Sequence, residues 1–131
     1  MNDLISKLKS VGVTPTAQRL DIANIIFAKP QHLSADQVLQ MVNKDSPNVS
    51  KATVYNTLGL FAQKGLVNEV IVDPSRVFYD SNVSKHFHFF NMDTNELMDI
   101  PVDKIHIEQL AELPEGTSAS SLEVIVRIKN N

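Results

Sequence analysis

The chain has no cysteine and no tryptophan among its 131 residues, and only four glycines. The missing cysteine excludes disulfides, thiol catalysis and thiolate-held metals together. No apolar run approaches the length of a membrane span, and the opening MNDLISKLKS lacks a secretory hydrophobic stretch. Charged residues make up 21%, too few for a disordered polyelectrolyte, while 43% hydrophobic residues are enough for real cores. The expectation is a soluble cytoplasmic protein without staples, built as one unit or two small domains.

Charge of one sign is also scarce, but unevenly so. Residues 1–81 hold eight Lys/Arg against seven Asp/Glu, and residues 82–131 hold four against eight. The change suggests a boundary near residue 80 and places anion binding in the first half. The net charge of −3 argues mildly against nucleic acid, since dedicated binders are usually basic.

Helical spacing marks Leu4, Ile5, Leu8 and Val11, with Gly12 ending that segment. Thr14 is the expected cap of a second helix, with Pro15 in its first turn and Leu20, Ala23, Ile26 and Phe27 on one face. SADQ at 34–37 reads as a capping box opening a third helix, and Ser50 as the cap of a fourth that Gly65 stops. The period then changes to two. LVNEVIVD and RVFYDS read as strands joined by a tight turn, and HFHFFNM, NELMDI and SLEVIVRIK as later strands. For DKIHIEQLAEL, at 103–113, the expectation is a short helix. Three helices followed by a strand hairpin, with one extra helix in front, predict an α+β chain. A winged helix-turn-helix domain spans 1–81, and a small α/β domain spans 82–131.

Around the axis of residues 50–64, Val54, Leu58 and Phe61 form one stripe, while Ala52, Asn56, Gly59 and Gln63 point the opposite way with Tyr55 beside them. Small residues on an outer face permit close approach, and Asn and Gln can bond base edges. Lys51 and Arg19 suit phosphates. A solvated amphipathic helix has the same pattern. The order of elements, with Arg76 at the hairpin, favours DNA, and the expected interface is Arg19, Lys51, Thr53, Tyr55, Asn56 and Arg76.

On a strand, His86 and His88 share a face opposite Phe87 and Phe89. A His-x-His pair alone is more often solvated or hydrogen-bonded than metal-bound. Asp80, Asp99 and His32 change the balance, because three imidazoles and two carboxylates suit Fe²⁺, Mn²⁺ or Zn²⁺. Such a set would draw on both domains and fix their orientation. His106 has no such context and reads as structural or solvated. The same donors suit a metal-dependent hydrolase or a metal store. A hydrolase needs an open coordination position and a pocket, and the glycine-poor remainder offers no evident one.

GVTPTAQR at 12–19, HLSADQV at 32–38, SKATVYNTLGLFAQKGLVNEV at 50–70, FYD at 78–80 and HFHFF at 86–90 together resemble the ferric uptake regulator family over nearly the whole chain. The resemblance implies a cytoplasmic, dimeric transcription regulator and repressor, not an enzyme. It would bind double-stranded, palindromic operator DNA and sense one divalent metal per chain between a winged-helix domain and a dimerisation domain. The family's regulatory metal positions fall on His32, Asp80, His86, His88 and Asp99. The family's usual structural zinc uses two Cys-x-x-Cys pairs. The first would fall on Asn91 and Thr94 and the second at or past the end of this chain, so no such zinc is expected.

Within the family, HFHFF, the Asn of TVYNTL and the tail at 113–129 look most like the iron response regulator branch, whose members sense iron status, in some cases through haem. Here its His-His-His run reads His86-Phe87-His88 and no Cys-Pro motif is present, a departure from the haem pattern. Asp80, where a glutamate is replaced by aspartate, resembles the peroxide sensors of the same family, in which bound Fe²⁺ lets peroxide oxidise a ligand histidine.

Overall fold

The computed structural model describes residues 2–107 and 111–131, which divide into two compact units, Met1–Val83 and Ser84–Asn131. In the first, helices α1 (Asn2–Ser10), α2 (Ala17–Ile26), α3 (Ala35–Val42) and α4 (Lys51–Gln63) accompany strands β1 (His32–Ser34), β2 (Asn68–Asp73) and β3 (Arg76–Asp80). The strands form one antiparallel sheet in the order β1-β3-β2.

Local chemistry sets the helix ends. Ser34 Oγ accepts from the Gln37 N–H while Gln37 Oε1 accepts from the Ser34 N–H, so the capping box is reciprocal. Ser50 caps α4 through the Thr53 N–H, and Gly65 at φ +76° turns the chain out of it. The cap of α2 is Thr16, two residues later than Thr14. Its hydroxyl accepts from the Arg19 N–H, while the Thr14 carbonyl accepts from the Thr16 N–H. That tight bend puts Pro15 before the cap. Ile22, Ala23 and Ile26 of α2 lie in the core, whereas Leu20 and Phe27 are only partly buried.

Leu8, Ile22, Ile26, Val38, Val54, Leu58 and Phe61 are fully buried together, each burial worth about 1.5–3 kcal/mol. The stripe of α4 therefore faces the core as its spacing requires. Phe27 and Phe61 meet in a tilted contact with centroids 5.8 Å apart. Strand β2 alternates, burying Val70 and Val72 while Ile71 is exposed.

The second unit holds β4 (Phe87–Asn91), β5 (Glu96–Ile100) and β6 (Ile125–Ile128), ordered β5-β4-β6. β4 pairs antiparallel with β5 and parallel with β6. Phe87, Phe90, Leu97 and Ile100 are buried. The helix expected over 103–113 does not form among the described residues. A single 3-10 turn covers Val102–Lys104, Ile105 is extended, and residues 108–110 lie outside the described residues. Pro101 sets that turn's start, and no side chain of the turn is buried to anchor a longer helix. Among the described residues no helix is long and apolar enough to cross a membrane.

Candidate metal centre and nucleic-acid interface

In the second unit, β4 and β5 place His88 directly opposite Asp99. His86 lies just before β4, two residues from His88 and therefore on the same side. The two rings lie 4.6 Å apart between centroids. Nε2 of His86 and Nε2 of His88 each lie 3.5 Å from the same Asp99 Oδ1. That spacing exceeds the 2.7–3.2 Å of an ordinary N–H···O bond. It matches the edge of a coordination shell, since bonds of about 2.0–2.1 Å at tetrahedral angles put donors about 3.3–3.4 Å apart. All three donors fall within 4.8 Å of one another.

The tautomer is also set. His86 Nδ1 lies 2.7 Å from the Ser84 carbonyl, which can only accept, so Nδ1 is the donor and, in the neutral ring, Nε2 is the nitrogen available to a metal. Both imidazoles are largely covered while the Asp99 side chain is half exposed. This donor set of imidazole nitrogens and a carboxylate fits a borderline divalent ion.

In the first unit, His32 and Asp80 are direct cross-strand partners on β1 and β3. Asp80 is almost wholly buried, and one of its oxygens accepts from the Asn82 N–H. His32 meets Phe78 edge-on at 6.3 Å. Beside this pair, Gln31 and Ser81 make a polar knot. Ser81 Oγ accepts from the Gln31 N–H, and Gln31 Nε2 donates to the Ile25 and Ile26 carbonyls at the end of α2. Each unit thus supplies a cross-strand His–Asp pair, His32 with Asp80 and His88 with Asp99. His106 is exposed.

Helix α4 presents Lys51, Ala52, Tyr55, Asn56 and Gln63 to solvent, with Thr53 half-buried. Thr53 Oγ1 accepts from Ser50 Oγ, which keeps its side chain in the cap. Arg19 Nη1 donates to the Thr14 carbonyl, so the guanidinium is held at the start of α2. Arg76 opens β3 after the turn at Pro74 and Ser75, with Nε 3.8 Å from Asp73 Oδ2. The Tyr55 hydroxyl donates to Asp36 Oδ1 at 2.8 Å, and this bond raises its pKa above the usual phenol value.

Sequence spacing gave no sign of three of these features. β1 is only three residues long and visible only through its partner strand. The Ser84 carbonyl has no residue-type signature. Asp36 lies 19 residues from Tyr55, beyond any helical period.

Comparison with known proteins follows the same lines. The model of the ferric uptake regulator family matches residues 10–127. The peroxide-responsive repressor PerR of Staphylococcus aureus is 31% identical over 113 residues, covering 86% of this chain and 76% of that protein. Among solved structures, the ferric uptake regulator of Pseudomonas aeruginosa with manganese superposes with a TM-score of 0.72 at 22% identity, covering 95% of this chain and 96% of the other. That of Francisella tularensis with iron gives 0.73 at 21% identity, covering 91% and 92%. At those identities the structures speak for the fold alone, a winged-helix unit followed by an α/β unit. The family match spans nearly the whole chain and both of its units: the protein belongs to the ferric uptake regulator family and is a transcription regulator, not an enzyme.

Proposed function

We propose that this chain is a metal-responsive DNA-binding repressor that reports cellular iron status. The observation that carries the reading is the convergence of His86 and His88 Nε2 on one oxygen of Asp99, with His86 Nδ1 turned to the Ser84 carbonyl. His32 and Asp80 complete the ligand set with one divalent ion, Fe²⁺, Mn²⁺ or Zn²⁺, per chain. A bound ion would supply positive charge to these imidazoles and carboxylates, in a chain whose DNA-reading unit spans 1–81 and whose dimerisation and metal-sensing unit spans 82–131. Histidine ligands must be neutral, so protons compete with the metal and affinity falls with pH. In this reading the protein is a cytoplasmic homodimer on a palindromic operator. Tyr55 and Asn56 read bases, Arg19, Lys51 and Arg76 hold phosphates, and Thr53 supports the start of α4. No structural zinc takes part. A gel shift on the protein's own promoter, with and without Fe²⁺ or Mn²⁺, tests it. Metal-dependent retardation of that duplex alone supports it, and equal retardation of random DNA with or without metal refutes it.

A second reading, peroxide sensing, is favoured by the 31% identity to a peroxide-responsive repressor and by the aspartate at position 80. It requires the Fe²⁺ form alone to gain one oxygen on a peptide containing His32 or His86, with DNA binding lost in step. Unmodified peptides, with DNA binding still responding to iron supply, exclude it. We place the iron-status reading first on the resemblance carried by HFHFF, the Asn of TVYNTL and the tail at 113–129, and the oxidation experiment decides between the two.

A further inference from the structure

The outer face of α4 carries an exposed aromatic ring that is held at both ends. Tyr55 is 39% exposed, yet its hydroxyl donates to Asp36 Oδ1 at 2.8 Å, a charge-assisted bond between α4 and α3. One turn earlier on α4, Lys51 Nζ lies 5.6 Å from the centroid of the same ring. Asp36 is itself fixed. It sits in the first turn of α3, inside the reciprocal Ser34–Gln37 capping box, where the helix N-terminus favours a carboxylate. A carboxylate on the face that meets phosphates works against affinity, because it repels every DNA sequence alike.

We propose that Asp36 is a specificity-determining positioning residue: it holds the Tyr55 ring in one orientation for base reading, at the expense of affinity for DNA in general. The proposal rests on the DNA-binding reading given above and assigns a role on that surface to a residue that touches no base itself. Its physical content is preorganisation. A ring pinned at its hydroxyl and covered by an ammonium loses little rotamer freedom on binding, so a matched sequence gains fully from its contact. The charge of Asp36 acts separately and uniformly, lowering matched and random affinity by the same factor, and so leaves their ratio unchanged. A simple tie between α3 and α4 would change stability and leave that ratio alone.

The two effects separate by substitution. Full-length, Mn²⁺-loaded protein first selects a duplex from a random library, and affinities for that duplex and for a scrambled one are then measured by fluorescence anisotropy. Asp36→Ala removes both acceptor and charge. It should raise affinity for the scrambled duplex and cut the matched-to-scrambled ratio about tenfold. Asp36→Asn keeps an acceptor oxygen and loses the charge, so both affinities rise and the ratio stays near that of the parent. Tyr55→Phe leaves Asp36 in place and should cut the ratio as Asp36→Ala does, which keeps the test available if Asp36→Ala does not fold. The double variant should lose no more than either single one. If the parent selects a sequence but the ratio is unmoved in Asp36→Ala and Tyr55→Phe, or falls equally in Asp36→Asn, the positioning role is refuted while DNA binding stands. If the parent selects no sequence, the DNA-binding reading fails and this proposal falls with it.

Discussion

Asn91 offers the sharpest test of how the second unit holds its donors in place. Its side chain is 9% exposed and sits where β4 ends. Oδ1 accepts from the Asp93 and Thr94 N–H groups, and Nδ2 donates to Asn130 Oδ1, beyond the end of β6. Asp93 answers by accepting from the Asn130 N–H. One amide thus shapes the β4–β5 turn, where Asn95 takes φ +60°, and ties β6 to it. Asn91→Ala removes three hydrogen bonds worth about 1 kcal/mol each. Asp93 and Thr94 are exposed, so water can serve their freed N–H groups. The expected net cost is therefore about 2 kcal/mol, near a thirtyfold increase in local opening. Amide exchange reads this directly, because the Asn95 N–H donates to the Asn91 carbonyl and the Met92 N–H to the Ile128 carbonyl, both at 2.8 Å. Protection of those two amides should drop about thirtyfold. Asn130→Ala, which removes one side-chain bond, should cost about 1 kcal/mol. Metal affinity should fall with Asn91→Ala, since the turn fixes the register that sets His88 against Asp99. If exchange at Asn95 and Met92 stays within about twofold of the parent, the turn is held by something other than this amide.

Three further outcomes are expected. Asn56→Ala should relax sequence preference by about 1–3 kcal/mol at one position of each half-site, whereas Lys51→Ala should weaken all sequences alike and flatten the salt dependence; matching losses on specific and random DNA in both variants would contradict the division of labour. Treatment with a strong chelator should strip the regulatory metal and leave a folded dimer, because no thiolate site exists to lose; sedimentation of a monomer, or lost circular dichroism, would reveal a structural metal. Burial, with Glu69 nearby, raises the Tyr79 phenol above its ordinary pKa. The folded state therefore holds that proton more tightly, so its contribution to stability is complete below about pH 10 and is lost as pH rises through the raised value. Tyr79→Phe should remove that alkaline component, and an unchanged pH profile in urea unfolding would show the assignment to be wrong.

Much of the fold was legible because it rests on local rules. Ser34, Ser50, Gly12 and Gly65 punctuate helices through bonds and dihedrals within a few residues, and Val54, Leu58 and Phe61 follow one helical period. Thr14 misled because two threonines flank Pro15 and only the tertiary bend decides which one caps α2. The segment 103–113 misled because its apolar residues alternate in a way that satisfies either period, and none of its described residues is buried. At the candidate metal centre, residue types pointed to His86, His88 and Asp99. What spacing could not supply was the register that puts His88 against Asp99, or the Ser84 carbonyl that sets the His86 tautomer. Asn91 read only as the place of a lost cysteine. Its three hydrogen bonds depend on a partner 39 residues away as well as on the adjoining turn.

The parallel pairing of β4 with β6 bears on the order in which the chain folds. His88 aligns with Ile125, so the central strand of the second unit waits on a partner 37 positions later in the sequence. The first unit closes mainly through neighbouring helices and a hairpin with a two-residue turn, which are quick to form. During synthesis it completes itself while β4 still has only β5 on one side, leaving the other edge of a Phe-rich strand open. The proposed metal donors His86, His88 and Asp99 are already translated in that interval, but the sheet that orients them is not yet complete. The local contacts of the first unit therefore favour its closing ahead of the second, whose central strand stays open along one edge until residues 125–128 are made.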